Sequence, residues 1–267
     1  MSLQNMGLAA LTVFVLAACG GGGSSGPSTA SMPTQNPGNT ETPENNGGQS
    51  SVSDAEVKAT KTLSVATLKS INEDALREEF GAYGFRTINN YQVTVNGKRY
   101  SNGNIDLSSL GNGMKRVPVV ESGRTTIGGS VYTANLNSTA HLYQQPYSVV
   151  AGMMFNNGQL SGPGLNQRLS GGSYLIVDTV KGYSTKVLPT EGKYTYNGAA
   201  FTDKGTGDLS YSVDFSSKTG SGRISGIREA GIITLDEGKI GRMSHNNPDK
   251  TTINGLGIES TAHSTVM

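Results

Sequence analysis

The sequence predicts a mainly β protein, built from many short strands joined by glycine-rich turns. Its 37 glycines are roughly twice the average share for a chain of 267 residues. Hydrophobic residues make up only 34% and charged residues only 15%, because Gly, Ser, Thr and Asn, the residues of turns and short strands, take their place. This composition argues against a helical bundle or a coiled coil. A net charge of +1 argues against a nucleic-acid partner.

The chain opens with an export signal. Residues 6–18 form an apolar run that is too short to span the roughly 30 Å core of a bilayer and fits the apolar region of a signal peptide. The run ends in Leu-Ala-Ala-Cys-Gly at residues 16–20, which resembles the lipobox of bacterial lipoproteins. That resemblance implies a signal peptide over residues 1–18 and fatty acylation of Cys19, palmitate included. A buried structural cysteine is the alternative, but the position directly after the apolar run favours lipidation.

Residues 19–52 are predicted to form the lipid anchor and a disordered linker. From Gly20 to Ser51 the side chains are almost all polar or small, and Glu41 and Glu44 are the only charges. Such a segment buries too little apolar surface to offset the entropy lost on ordering. A flexible linker of this length has a reach of about 30 Å, enough to lift a domain off a membrane.

A helix is predicted within residues 54–80. The run Ser53-Asp54-Ala55-Glu56 has the form of a capping box, with Val52 placed to pack as a hydrophobic staple. Gly81 is the expected stop. The apolar residues of an imperfect helical stripe follow the capping box: Leu63, Val65, Leu68, Ile71 and Leu76.

Beyond Gly84 the pattern becomes that of strands. Tyr91–Val95, then Asn96-Gly97, then Lys98–Tyr100 predict a hairpin, because Asn-Gly favours the type I′ turn that matches strand twist. Further strand candidates in this half are Ser130–Ala134, Tyr147–Phe155 and Tyr174–Val180.

After Pro189 the alternation of apolar and polar residues is clearer. Tyr194, Tyr196 and Gly198 fall on one face of a strand. The next strand is expected to point four residues into a core: Leu209, Tyr211, Val213 and Phe215. Three more short apolar segments follow, at 222–227, 232–235 and 253–258. Five short strands in about 70 residues predict a meander or a barrel.

Several of these segments resemble a known family. Residues 192–201, 207–215 and 218–224 look like the opening strands of the C-terminal barrel of factor H binding protein and transferrin-binding protein B, which are surface lipoproteins of Gram-negative bacteria. Residues 141–150 look like a strand of the N-terminal handle domain of these proteins. The resemblance implies a β-rich handle domain with a short helix at residues 53–188, followed by an antiparallel β-barrel at 189–267. The family barrel has eight strands and the fifth falls here at 253–262, so the barrel is expected to be incomplete and truncated.

The resemblance also implies a function. Family members are lipid-anchored at the outer membrane, reach the cell surface through a surface lipoprotein assembly modulator and bind host-derived ligands: factor H, transferrin or haem. Tyrosine-rich loops would suit such binding, because tyrosine offers a large contact area with few torsions to freeze. A truncated structural lipoprotein without a ligand is the alternative.

The residues themselves favour a binding protein over an enzyme. The nucleophile-elbow, phosphate-loop, dinucleotide and zinc-protease motifs do not occur, and the three histidines have no metal-ligand spacing. Haem needs an axial ligand in an apolar pocket. His141 is the candidate ligand in such a pocket. The alternative is that His141 is an ordinary half-buried strand residue that binds nothing. The pocket would comprise Tyr143, Tyr147, Met153 and Met154.

Overall fold

Over the residues that it describes, a computed structural model of the chain shows two large antiparallel sheets, a two-stranded sheet of β2 (Thr62–Ser64) and β5 (Asn104–Asp106), and one α-helix, so the predicted mainly β class is confirmed. It describes residues 12–13, 61–145, 148–171, 175–182, 188–202, 205–247 and 250–265, with the backbone alone at 12–13 and 175–180. The predicted capping box, the linker and Cys19 lie outside these residues, as does all of the predicted signal peptide except residues 12–13.

In the described residues, short and long strands follow one another along the chain, and a single α-helix follows β2. The strands in the first two thirds of the chain are β1 (Thr12–Val13), β2 (Thr62–Ser64), β3 (Ile88–Val95), β4 (Lys98–Tyr100), β5 (Asn104–Asp106), β6 (Gly113–Ile127), β7 (Ser130–Gln145), β8 (Ser148–Gly162), β9 (Leu165–Ser170) and β10 (Leu175–Gly182). The later strands are β11 (Lys193–Thr202), β12 (Gly205–Asp214), β13 (Thr219–Ser225), β14 (Ile233–Asn246), β15 (Thr252–Glu259) and β16 (Ala262–Ser264). The helix is α1 (Val65–Phe80), and 3-10 turns lie at Gly81–Tyr83 and Ser108–Leu110.

Helix α1 lies within the predicted range. The side chain of Ser64 caps its first turn by accepting a hydrogen bond from the backbone N–H of Thr67 at 3.3 Å. The helix ends at Phe80, and Gly81 is its C-terminal cap as predicted. One turn later Gly84 has a φ of +78°, a left-handed conformation that glycine adopts without strain.

The N-terminal sheet has the strand order β4-β3-β6-β7-β8-β10, and β9 pairs with the second half of β8. The predicted hairpin is confirmed: Val95 pairs with Lys98, and Asn96 and Gly97 have φ values of +48° and +77°. Helix α1 packs on one face of this sheet. Its contacts there involve Leu68 and Leu76 from the helix and Val93, Val119, Leu136 and Leu160 from the strands, all buried. Each buried side chain of this size contributes about 1.5–3 kcal/mol.

The C-terminal sheet has the order β11-β12-β13-β14-β15, and β16 continues beside β14. The backbone of β1 pairs with the outer edge of β15, with Val13 opposite Ile258. Of the four residues predicted to point inward, Tyr211, Val213 and Phe215 are buried in the core of this sheet and Leu209 packs against them partly exposed. The sheet curls as half of a barrel, in agreement with the predicted incomplete barrel.

Candidate functional site

His141 lies where the two sheets meet. Along β7, Ala140 and Leu142 belong to the core under α1, so the alternation of the strand turns His141 toward the opposite face. There its imidazole ring meets the ring of Phe201 on β11, with 5.7 Å between the ring centroids and a T-shaped geometry of 76°. His141 is only 2% exposed. It is therefore a buried residue of the contact between the sheets.

A second contact between the same two strands joins Tyr143 on β7 and Gly198 on β11. A Cβ atom built on Gly198 of β11 would lie 2.9 Å from the hydroxyl oxygen of Tyr143 on β7. The same hydroxyl accepts a hydrogen bond from Nε2 of Gln145 at 3.3 Å. The absence of a side chain at position 198 thus allows the strands to approach.

The electrostatics at His141 favour a neutral imidazole. Its Nδ1 atom is buried and has no hydrogen-bond partner among the described residues. Arg116 lies directly opposite on β6. Burial first, and then the charge of Arg116, lower the pKa of His141. A neutral ring with an uncommitted nitrogen is the form that binds metals.

The structure brings together only part of the predicted haem pocket. Met154 pairs with Thr139, two positions along from the pair formed by His141 and Gly152, so Met154 shares the face of His141. Met153 lies on the opposite face, in the core under α1. Tyr147 lies outside the described residues. His141, Tyr143 and Met154 therefore share a face, whereas Met153 does not.

A buried polar cluster beneath α1 was missed by the sequence reasoning. Glu121 on β6 is fully buried and accepts hydrogen bonds from the hydroxyl of Tyr91, from Nδ2 of Asn72 at 2.5 Å and from Oγ of Ser138 at 3.3 Å. Burial raises its pKa to about 7, although these hydrogen bonds oppose the rise. The signal was present, because Glu121 stands in the same alternating register as Val117 and Val119.

The tyrosines do not form the expected loops. Seven of the eight described tyrosines lie in strands, and Tyr83, in a 3-10 turn, is the one with a largely exposed ring at 67%. Tyr194 and Tyr196 pack against the core of the C-terminal sheet. The expectation of tyrosine-rich contact loops is wrong for these residues, because their period along the strands directs the rings inward.

The exposed side of the C-terminal sheet is polar. The strand registers place Asn197, Ser210, Arg223, Thr234 and His263 in one row across it, on the side opposite Tyr211. Arg223 occupies the middle of the row, is exposed, and has no acidic partner in the described part of the chain. At the end of the row, Nε2 of His263 lies 2.7 Å from Oδ2 of Asp236.

The described residues contain no cluster suited to a metal ion and no helix suited to crossing a bilayer. No group of three or more His, Cys, Asp or Glu side chains in those residues is placed to hold a metal ion. None of the helices found there combines the length and the apolar character needed to span a bilayer.

Comparison with known proteins gives a family match for the C-terminal part of the chain. Residues 186–265 match the family model described as Factor H binding protein, C-terminal. The match spans strands β11 to β16, and it agrees with the resemblance noted in the sequence of residues 192–224. A search of curated proteins found no match.

Proposed function

We propose that the protein is a bacterial outer-membrane lipoprotein that is held at the cell surface by an acylated Cys19 and binds a host protein such as factor H or transferrin. The observation that carries this proposal is the family match over residues 186–265, the same residues that form the curled C-terminal sheet. The family name gives factor H as the first ligand to test.

The exposed row centred on Arg223 is the part of the C-terminal sheet best suited to contact a protein. Arginine is enriched among the residues that dominate binding energy at interfaces. Here the guanidinium group stands on a strand whose opposite face is anchored by Ile224 and its buried neighbours. A rigid strand holds such a group in place, so little entropy is lost on binding.

Capture from serum tests the proposed binding. The whole chain, immobilised on a column, is expected to retain factor H or transferrin from human serum, and Arg223→Ala should weaken retention about tenfold or more. Arg168→Ala is the matched control, because it removes an exposed arginine from the other sheet. Flow-through of both host proteins, or equal losses in the two variants, would contradict the proposal.

The lipid anchor is tested separately. Cys19→Ala and treatment with globomycin should each block maturation of the precursor, and mass spectrometry should find acyl chains on residue 19 of the natural chain alone. Ser24→Ala is the control for an unrelated change near the cleavage site. Co-expression with a surface lipoprotein assembly modulator should expose the chain to protease on intact cells. A bare residue 19 with an uncleaved leader would refute anchoring.

Haem binding is the second candidate, favoured by the buried and unpartnered Nδ1 atom of His141. Because the imidazole packs against Phe201, haem would have to separate β11 from β7 to reach it. Mixing the protein with hemin should then give a sharp Soret band that His141→Ala removes. An unchanged hemin spectrum would exclude this candidate. Failure of both ligand tests by a cooperatively folded protein would leave a structural lipoprotein.

A further inference from the structure

The N-terminal sheet has an outer face, turned away from α1, that is covered with polar side chains. Strand registers place its residues in rows that cross β6, β7, β8 and β9. One row holds Ser122, Asn135, Gln159 and Arg168, and the next holds Val120, Asn137, Asn157 and Ser170. Five exposed members of these rows, which we name the amide face, are Asn135, Asn137, Asn157, Gln159 and Arg168.

Members of the amide face form side-chain hydrogen bonds that align their carboxamides and leave some of their donors and acceptors available. Nδ2 of Asn137 donates to Oδ1 of Asn157 at 2.8 Å. Nε2 of Gln159 donates to Oδ1 of Asn166 at 2.5 Å. Each carboxamide offers two donor hydrogens and an acceptor oxygen, so every member of these pairs keeps capacity for a further partner. Asn135 and Arg168 make no side-chain hydrogen bond or ion pair with any described residue.

A shallow cleft lies on this face, beside a β-bulge of β8. Asn156 is the extra residue of β8, between Asn157 and Phe155, and its Nδ2 donates to Oγ1 of Thr139 at 2.8 Å. Gly171 follows β9 in the chain. It lies so close to β8 that a Cβ atom built on it would clash with the backbone of Asn156. The cleft has a volume of about 630 Å³ and is lined by the amide face together with these residues.

The charge around the cleft is one-sided. Residues 85–171 contain seven Lys and Arg residues but only two acidic residues, Asp106 and Glu121. Glu121 is buried on the opposite face under α1, and Asp106 lies in β5, outside this sheet. Arg124, on the same outer face as Arg168, is also exposed. The outer face therefore presents guanidinium groups with no carboxylate beside them among the described residues.

We propose that the amide face binds an acidic glycan, meaning an oligosaccharide that carries sulfate or carboxylate groups. Carboxamides match the mixed donors and acceptors of sugar hydroxyl groups. Arg168 supplies the bidentate donor geometry that suits sulfate and carboxylate. A single-stranded nucleic acid fits less well, because the amide face has no aromatic ring on which bases could stack. This site is independent of host-protein binding by the C-terminal sheet.

The test measures binding of the whole chain to an immobilised heparin-derived oligosaccharide. A double substitution, Asn135→Ala with Arg168→Ala, should weaken binding about tenfold or more, as expected for the loss of hydrogen bonds to charged groups. Arg223→Ala is the matched control and should leave the affinity unchanged. Binding should also weaken as salt rises. Unchanged melting temperatures would show that all the variants remain folded.

Several results would overturn the proposal. One is that neither heparin-derived nor sialylated oligosaccharides bind. Another is that Arg223→Ala weakens binding as much as the double substitution, which indicates general charge attraction. A third is that single-stranded DNA binds as tightly and responds to the same substitutions. Because Arg168 serves here and Arg223 in host-protein capture, failure of one function is distinguishable from failure of the other.

Discussion

The hydroxyl group of Tyr143 occupies space that a side chain at Gly198 would need, since a Cβ there would lie 2.9 Å from its oxygen. This relationship brings β11 against β7 and places Phe201 over His141. The contact between the two sheets is therefore tied to one glycine, and several of its consequences are measurable.

Gly198→Val should destabilise the protein by about 1–3 kcal/mol, because it overfills a tight contact. The free energy of unfolding in urea measures this loss. Gly241→Val is the matched control: Gly241 also lies in a strand, and a Cβ there would meet nothing within 4 Å. Combining Gly198→Val with Tyr143→Ala should recover part of the loss through a favourable coupling energy. Strict additivity of the two changes would show that the residues do not touch.

Glu121 should make the protein less stable as pH rises. Its pKa is raised from 4.5 to about 7 in the folded state, so folding favours the protonated form. The stabilisation is complete below about pH 4.5 and is lost as pH rises through about 7, a change of about 3 kcal/mol. Glu121→Gln should remove this dependence, measured by urea unfolding across the range. Glu79→Gln, on the exposed side of α1, should leave it unchanged.

His141 should act in the opposite direction. Burial lowers its pKa below the ordinary value of 6.5, so its contribution to stability is present above that pH and is lost as pH falls through the folded pKa. In a Glu121→Gln background, the melting temperature should fall as the pH is lowered below the ordinary histidine pKa of 6.5. His141→Phe should remove that fall. Arg116→Gln should make that fall smaller, because loss of the charge that opposes protonation brings the folded pKa of His141 closer to its unfolded value. A profile unchanged by both substitutions would contradict the assignment.

The end of α1 offers a matched pair of glycines. Gly81 has right-handed helical angles and open space around it, so Gly81→Ala should raise the unfolding free energy by about 0.4–1 kcal/mol. Gly84 has a φ of +78°, so Gly84→Ala should lower the unfolding free energy by about 1–2 kcal/mol. Thermal unfolding of the two variants gives the comparison. Equal effects would mean that φ does not decide the outcome.

Local patterns were sufficient to predict most of the fold. Asn96-Gly97 specifies its own turn, and Tyr211, Val213 and Phe215 follow a strict alternation, so neither needed distant information. The predicted range of 54–80 contains α1, which Ser64 caps, while the capping box at Ser53–Glu56 lies outside the described residues. The pairing of the long strands β6, β7 and β8 depends on contacts between residues far apart in sequence, which periodicity does not specify.

The candidate sites were harder to predict. His141 was singled out from its neighbours, but its burial depends on Phe201, sixty residues later. The haem pocket included Met153 because it is adjacent to Met154, although alternation along β8 places the two on opposite faces. The amide face was missed because its members come from three strands. No single segment contains enough of them to form a motif.

The two sides of the N-terminal sheet carry charges of opposite sign, which gives this part of the protein an electric dipole. Helix α1 carries Glu73, Asp74, Glu78 and Glu79 on one side, while the opposite face carries Arg124 and Arg168. Lys69 and Arg77 pair with Glu73 and Asp74, respectively, so Glu78 and Glu79 supply the net negative charge on the helix side, and Arg124 and Arg168 supply positive charge on the other side. Near an anionic cell envelope or host glycocalyx, the electric field would exert a torque on this dipole and turn the arginine side toward the charged layer. Orientation would then precede any specific contact.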